Sequence, residues 1–193
     1  STMSPSTRVP EVIHHFSEKH PDVYITIKVL SSEEIENELM SGGINLGIVL
    51  FSEIKKELRL LVKFPVIVDL YCGNKNPLFD IDVESMEDLH RTGYARGCYS
   101  PGSKSELFRK LPLPTASSYL SEGLAFLIMS GRYCGYLPRR YSSNWVKNGE
   151  MKALNEDVFS YQVELSLITR RGTELGGTIK AFLNSFSAFP RGD

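Results

Sequence analysis

The spacing of apolar residues changes period several times between residues 7 and 50. Val9, Val12, Ile13 and Phe16 recur at helical spacing, which predicts an amphipathic helix over residues 7–19. Pro10 falls in its first turn, where N–H groups lack intrahelical partners, so the helix tolerates it. Pro21-Asp22 breaks the helix, and Val23, Ile25, Ile27 and Val29 then alternate with Tyr24, Thr26 and Lys28. That is the period of a strand with one better buried face. Ser31 and Glu34 fit a capping box, and Ile35 and Leu39 share a face of the helix it opens. Gly42-Gly43 ends this helix, and residues 44–50 are apolar enough for a buried parallel strand. Strand, helix and strand joined by short turns form a β-α-β unit, whose strand-end loops bind small ligands in open α/β sheets.

The same reading continues down the chain. Residues 58–62 and 66–71 read as two strands separated at Pro65, and residues 74–80 as a polar turn. A second α/β module follows, with a short strand at 94–96 and a loop at 97–102. Ser103-x-x-Glu106 is another capping box, opening a helix through Lys110. Residues 112–116 are extended. Ser117-Ser118 precede a helix bearing Leu120, Leu124, Leu127 and Ile128, which ends at Gly131 before a strand at 133–137. Residues 138–149 are helical at their centre, with Tyr141 and Trp145 four apart and turned inward. A strand over 162–169 and a helix over 173–186, with Leu175, Ile179, Phe182, Leu183 and Phe186 on one face, close the chain.

Three blocks together carry a resemblance. The first is His20-Pro21, strand, helix, Gly, then Asn45-Leu46-Gly47-Ile48. The second is GLAFLIMSGRYCGYLP at 123–138, and the third LSLITRR at 165–171 before the last helix. In this order they resemble the effector-binding domain of LysR-type transcriptional regulators, over nearly the whole chain. Asn45 stands where that family commonly has Asp, and Gly47 where it has Ala. The resemblance implies an α/β fold of two Rossmann-like lobes joined by two crossover strands, like type 2 periplasmic binding proteins. Lobe one would hold residues 1–68 and 164–193, lobe two residues 69–163, with crossovers near 66–70 and 163–168. It implies no catalysis but a small-molecule effector held between the lobes, whose binding shifts their angle and rearranges dimers. The helices at 7–19 and 118–130 would pair in a homodimer, with a tetramer in the full-length protein. DNA would be met only through a winged helix-turn-helix that, with its linker helix, is absent from this chain.

Composition fits that picture. The chain has 193 residues, is 41% hydrophobic and carries a formal net charge of -1, against a large phosphate-binding surface. No apolar run is long enough to span a bilayer, so no membrane partner is expected. The start lacks the basic and apolar regions of a signal peptide; it also lacks Met, so the chain reads as a fragment, although a mature secreted protein begins the same way. Three cysteines, Cys72, Cys98 and Cys134, form no C-x-x-C, which favours a reducing, cytoplasmic setting. His14, His15, His20 and His90 have no zinc-site spacing. No P-loop, nucleophile elbow or dinucleotide fingerprint occurs, so no cofactor is expected. Glu33, Glu34, Glu36 and Glu38 read as a solvated helix face.

The candidate site gathers at helix starts and strand ends. Ser31-Ser32, Tyr99-Ser100 with Ser103, and Ser117-Ser118 each lie where free backbone N–H groups can meet an anion, although plain capping explains the same residues. With lobe-one positions carried over from the resemblance, the expected ligand-binding set is Thr2, Met3, Ser4, Ser31, Ser32, Leu50, Tyr99, Ser100 and Ser103. The helix starts favour an anionic ligand, and the apolar Leu50 and Phe51 a hydrophobic or aromatic part, so a small anionic or aromatic molecule is expected. Cys98, near a helix start, is either a redox-sensing thiol of lowered pKa or a small pocket or packing residue, the second being favoured because it has no cysteine partner close in sequence. A free-standing solute-binding protein of the same fold is the alternative.

Overall fold

A computed structural model of the chain describes residues 9–50, 55–102, 105–172 and 174–188. The chain divides into two compact units. One is Pro65–Val163; the other consists of the flanking segments, up to Phe64 and from Glu164. Strands β2 (Leu58–Gly73) and β7 (Tyr161–Arg170) run from one unit into the other.

In the flanking unit, helix α1 (Val9–Lys19) packs on the last helix, α7 (Gly177–Ala188). Val9, Val12 and Phe16 are buried, and the Phe16 ring meets Phe182 edge-on at 5.2 Å. Helix α2 (Ser32–Ser41) opens on the expected capping box: Glu34 N–H donates to Ser31 Oγ and Ser31 N–H to Glu34 Oε2. It closes at Gly42, whose φ of 81° is left-handed and suits a residue without Cβ. Ile35 and Leu39 lie in a core with Val49, Leu58 and Ile168. Strand β1 (Gly47–Leu50) is buried, as its apolar run implies, but pairs antiparallel with β7, Gly47 opposite Ile168. An apolar run reports burial on both faces and is silent about partner direction.

Three further expectations are corrected. Residues 23–30 form no strand: among the described residues none pairs with them, and Tyr24 is 92% exposed. Alternation describes one chain, whereas a strand needs a partner for its N–H and C=O groups. Residues 58–73 are one strand, with Pro65 exposed within it. Proline removes a donor, which a strand tolerates wherever that N–H would face no neighbour. Glu36 is not solvated: it is 4% exposed and ion-paired with Lys55.

The central unit is built on the strand order β2-β5-β3-β4, with β6 (Met151–Ala153) also on β2. Strands β3 (Gly93–Arg96) and β4 (Pro114–Ser117) are parallel to each other, and β3 is parallel to β5 (Tyr133–Pro138); β5 is antiparallel to β2. Helix α3 (Glu106–Lys110) and helix α4 (Ser121–Met129) are the β3–β4 and β4–β5 crossovers. Leu120, expected within α4, is its N-cap. Leu124, Ala125 and Ile128 of α4 pack on Tyr71, Ala95 and Leu137. Helix α5 (Arg139–Lys147) brings Tyr141 and Trp145 edge-to-face at 5.2 Å against this core, as their spacing implies. The short helix α6 (Glu156–Phe159), β6 and a 3₁₀ turn at Met86–Arg91 are too short to give a period.

An ion network closes this unit. Asp69 of β2 is wholly buried and accepts from Arg139 Nε at 2.7 Å and Nη2 at 2.8 Å. It also accepts from Tyr71 Oη at 3.0 Å and from the Ser160 hydroxyl, while Arg139 pairs with Glu156 as well. Burial pushes the Asp69 carboxyl up, but hydrogen bonds from Arg139, Ser160 and Tyr71 outweigh it and hold the group below the ordinary carboxylate range.

Candidate functional site

Two parallel strands end side by side in the central unit. Arg96 closes β3 opposite Ser117, which closes β4, and Ser118 N–H donates to the Arg96 carbonyl at 2.9 Å. A Cβ on Gly97 would run into the Leu124 side chain, so a glycine here lets α4 press against the end of β3. The chain then turns tightly. Gly97 N–H donates to Ser100 Oγ at 3.0 Å, Tyr94 Oη donates to the same oxygen at 2.8 Å, and Ser100 N–H returns to the Gly97 carbonyl. These strand ends border a groove of about 640 Å³ lined by residues 96–98 and 114–119. It runs along β4, the last strand in the sheet order, and reaches the carboxyl end of β3.

The groove has one formal charge among its lining residues, Arg96, whose side chain is exposed. Thr115 and Ser117 contribute exposed hydroxyls. Tyr119 stands at the rim, 83% exposed. Helix α4 starts beside it without a side-chain cap, because Leu120 occupies the N-cap position. The nearby Ser118 hydroxyl is spent on the turn, donating to the Leu120 carbonyl and accepting from its N–H. The positive end of α4 therefore faces the same loop as the guanidinium.

The expected residues separate into groups. Thr2, Met3, Ser4 and Ser103 lie outside the described residues. Ser31, Ser32 and Leu50 belong to the flanking unit, where Ser31 is committed to capping α2 and Ser32 is half-buried at its first turn. Leu50 is half-buried at the end of β1. Tyr99 and Ser100 adjoin the groove through Cys98. Tyr99 is wholly buried, its carbonyl accepting from the Tyr161 hydroxyl, while its own hydroxyl has no hydrogen-bond partner among the described residues. Ser100 holds the turn. Arg96, Thr115, Ser117 and Tyr119 line the groove and all four stand outside the expected set, although Ser117-Ser118 reads as a helix start. For Arg96, Ser117 and Tyr119 the one sequence signal is position at or just after a strand end, usable only once β3 and β4 are known to be parallel neighbours; Thr115 lies within β4 and has no such signal.

Cys98 is half-buried and lines the groove, and its thiol is raised, not lowered. Burial pushes its thiol up, and a hydrogen bond with the Ser121 hydroxyl offsets this only in part. Burial likewise raises Cys72 to about 12, and burial with the neighbouring Cys72 raises Cys134 to about 12. Tyr94 is pushed up to about 12 by burial as well. No acid–base pair lines the groove, and among the described residues no group of three His, Cys, Asp or Glu could hold a metal ion. What this arrangement can do is bind: one guanidinium, one helix start, hydroxyls and an aromatic ring.

The family description "LysR substrate binding domain" matches residues 1–189. The chain is 28% identical over 184 residues to the HTH-type transcriptional activator BauR of Pseudomonas aeruginosa, covering 94% of this chain and 60% of that protein. In structure it resembles the effector-binding domain of QuiR solved with shikimate, at a TM-score of 0.74 and 16% identity over 92% of this chain and 88% of that one. It also resembles the CcmR regulatory domain of Synechocystis PCC6803 solved with 2-PG, at a TM-score of 0.71 and 17% identity over 95% of this chain and 92% of that one. The fold is the mixed α/β, type 2 periplasmic-binding-like fold of LysR effector-binding domains.

Proposed function

Since this chain belongs to the LysR substrate-binding domain family, we propose that it is the effector-binding and oligomerisation part of a LysR-type transcriptional regulator. The family match over residues 1–189 carries this reading. The chain spans 60% of the length of the activator it matches, so DNA binding falls to other parts of the regulator. Its net charge of -1 is consistent with that division. The relatives named above are regulators or their effector domains, which favours this reading over a free-standing solute-binding protein. As a regulator it would act in the cytoplasm; among the described residues no helix is long and apolar enough to cross a membrane.

The effector is held at helix starts and strand ends, and Ser32 at the first turn of α2 is the described position of the expected set best placed to test this, being half-buried and not the capping residue. Binding acts on transcription through its differential affinity for two arrangements of the regulator, because equal affinity would shift nothing. Self-association is the other half of the mechanism. Val9, Val12 and Phe16 of α1 are already buried, whereas Phe126 of α4 is an exposed aromatic ring available to a second copy.

The test is a thermal-shift screen of small metabolites, anionic and neutral, against this chain, followed by calorimetry on any hit. A saturable, stoichiometric ligand is expected, with Ser32→Trp weakening it while leaving the circular dichroism spectrum unchanged. Ser32 is the better probe than Ser100, whose loss would undo the turn after β3. A full-length regulator whose transcription is indifferent to every bound ligand would overturn the reading.

A further inference from the structure

We infer that Cys72 and Cys134 are a latent redox pair, which a small hydroperoxide joins in a disulfide between β2 and β5. Neither residue lines the groove, and the pair does not rest on the effector-binding reading. The two are direct partners in the antiparallel register of these strands, so their side chains leave the same face of the sheet side by side. Both are free thiols and wholly buried.

The neighbouring strands fix which kind of pair this is. Leu154 N–H donates to the Leu70 carbonyl and Asn74 N–H to the Glu150 carbonyl, so Leu70 and Asn74 turn backbone groups towards β6. Backbone direction alternates along a strand, and Cys72, midway between them, turns the same way. On the other side Gly93 N–H donates to the Arg132 carbonyl, so Arg132 faces β3, and Cys134, two residues on, does too. Neither cysteine offers its backbone to the other, which makes them a non-hydrogen-bonded pair. Cα atoms of such a pair stand about 4.5 Å apart, within the roughly 4.4–6.8 Å that a disulfide spans. The register therefore brings the two sulfurs together without a shift of either strand.

The row continues on β6, where Lys152 is the partner of Cys72 and its Nζ donates to the Phe79 and Ile81 carbonyls. Burial raises the Cys72 thiol to about 12; Lys152 acts against that rise and Asp80 adds to it. Cys134 is raised to about 12 by burial and by the nearby Cys72. The cation beside Cys72 marks it as the thiol that attacks first. Its sulfur takes one peroxide oxygen, the O–O bond breaks, and the departing hydroxide leaves as water with the thiol proton. Cys72 is then a sulfenic acid. The Cys134 sulfur displaces its hydroxyl, forming the S–S bond and releasing a second water. Two thiols and one peroxide give one disulfide and two waters. Burial shuts bulky disulfide reagents out, whereas a peroxide is little larger than a water molecule.

The folded chain is treated with hydrogen peroxide, quenched with catalase, alkylated in denaturant, digested and mapped by mass spectrometry. The expected product is a peptide pair joined through Cys72 and Cys134, lighter by two hydrogens than the reduced peptides and separated by dithiothreitol. Cys98→Ser should leave it unchanged. In Cys134→Ser, Cys72 should stop at the sulfenic acid, which dimedone labels; in Cys72→Ser, Cys134 should take up at least about tenfold less dimedone. The unsubstituted chain decides the matter even where a variant fails to fold. A disulfide through Cys98 overturns the inference. So do Cys72 and Cys134 recovered alkylated after peroxide has oxidised Cys98, or a bond between them that forms only in urea.

Discussion

At the scale of single residues, the most consequential group is Asp69. Its carboxylate is buried and held by Arg139, Tyr71 and Ser160, so neutralising it leaves Arg139 with Glu156 as its carboxylate partner and a long 3.5 Å contact to Ser160 Oγ. Asp69→Asn is expected to destabilise the chain by about 2–3 kcal/mol, the lower range for breaking a buried pair, because Arg139 can still reach solvent. Urea denaturation of the two chains measures this. The same carboxyl sets an acid limit. Its folded pKa lies below the unfolded one, so the folded state binds fewer protons between the two values and the network's contribution is fully present above the unfolded pKa. It is lost as pH falls from about 4 through the folded pKa, a loss that Asp69→Asn should lack when melting temperature is plotted against pH. The cysteines make the opposite kind of prediction. Cys72 and Cys134 are wholly buried with thiols near 12, so neither should react with Ellman's reagent at pH 8 until the chain is unfolded, and Cys98 should react more slowly than a free thiol. The position of Cys98 after a strand is legible in the sequence; its surroundings are not, because burial is a property of neighbours far along the chain.

At the scale of elements, local signals that are satisfied locally were readable. The Ser31–Glu34 capping box needs four consecutive residues and forms as its spacing implies. Ser31→Ala should cost about 1 kcal/mol in denaturant-induced unfolding, and Ser31→Asp much less, since Asp caps equally well. Helices α1, α4 and α5 likewise follow from their apolar spacing. Signals whose satisfaction depends on a partner were not readable. Residues 23–30 alternate without pairing, residues 58–73 continue through Pro65, and β1 runs antiparallel to its neighbour. Gly73 shows the same limit. A Cβ there would strike the Ile128 carbonyl, which is backbone and cannot rotate away. Gly73→Ala should therefore destabilise by about 1–3 kcal/mol, where Gly→Ala at an open position is neutral or better.

At the scale of the whole molecule, the near-neutral chain should show no sequence-selective complex with DNA in a gel-shift assay, at any salt concentration that keeps it soluble. It should self-associate in sedimentation at high micromolar concentration. Phe126→Glu should shift that equilibrium toward monomer without lowering the melting temperature, since the Phe126 side chain is exposed. If Phe126→Glu sediments as the parent does, the α4 face is not the contact.

The sequence by itself determined what depends on neighbours a few residues away: the helices and their caps, the apolar runs that must be buried, and the ordered motifs that mark the family. It also determined the absence of the known catalytic and cofactor motifs and a net charge unsuited to binding DNA through this chain alone. Tertiary structure alone decided which strands lie side by side, and therefore that Arg96 and Ser117 end parallel strands on one groove, that Glu36 is buried on Lys55, and that Asp69 meets Arg139 seventy residues away. The division follows from the range of the forces. Capping and periodicity act within a turn or two of chain, whereas strand pairing, burial and charge compensation act between segments whose proximity exists only after the chain has folded.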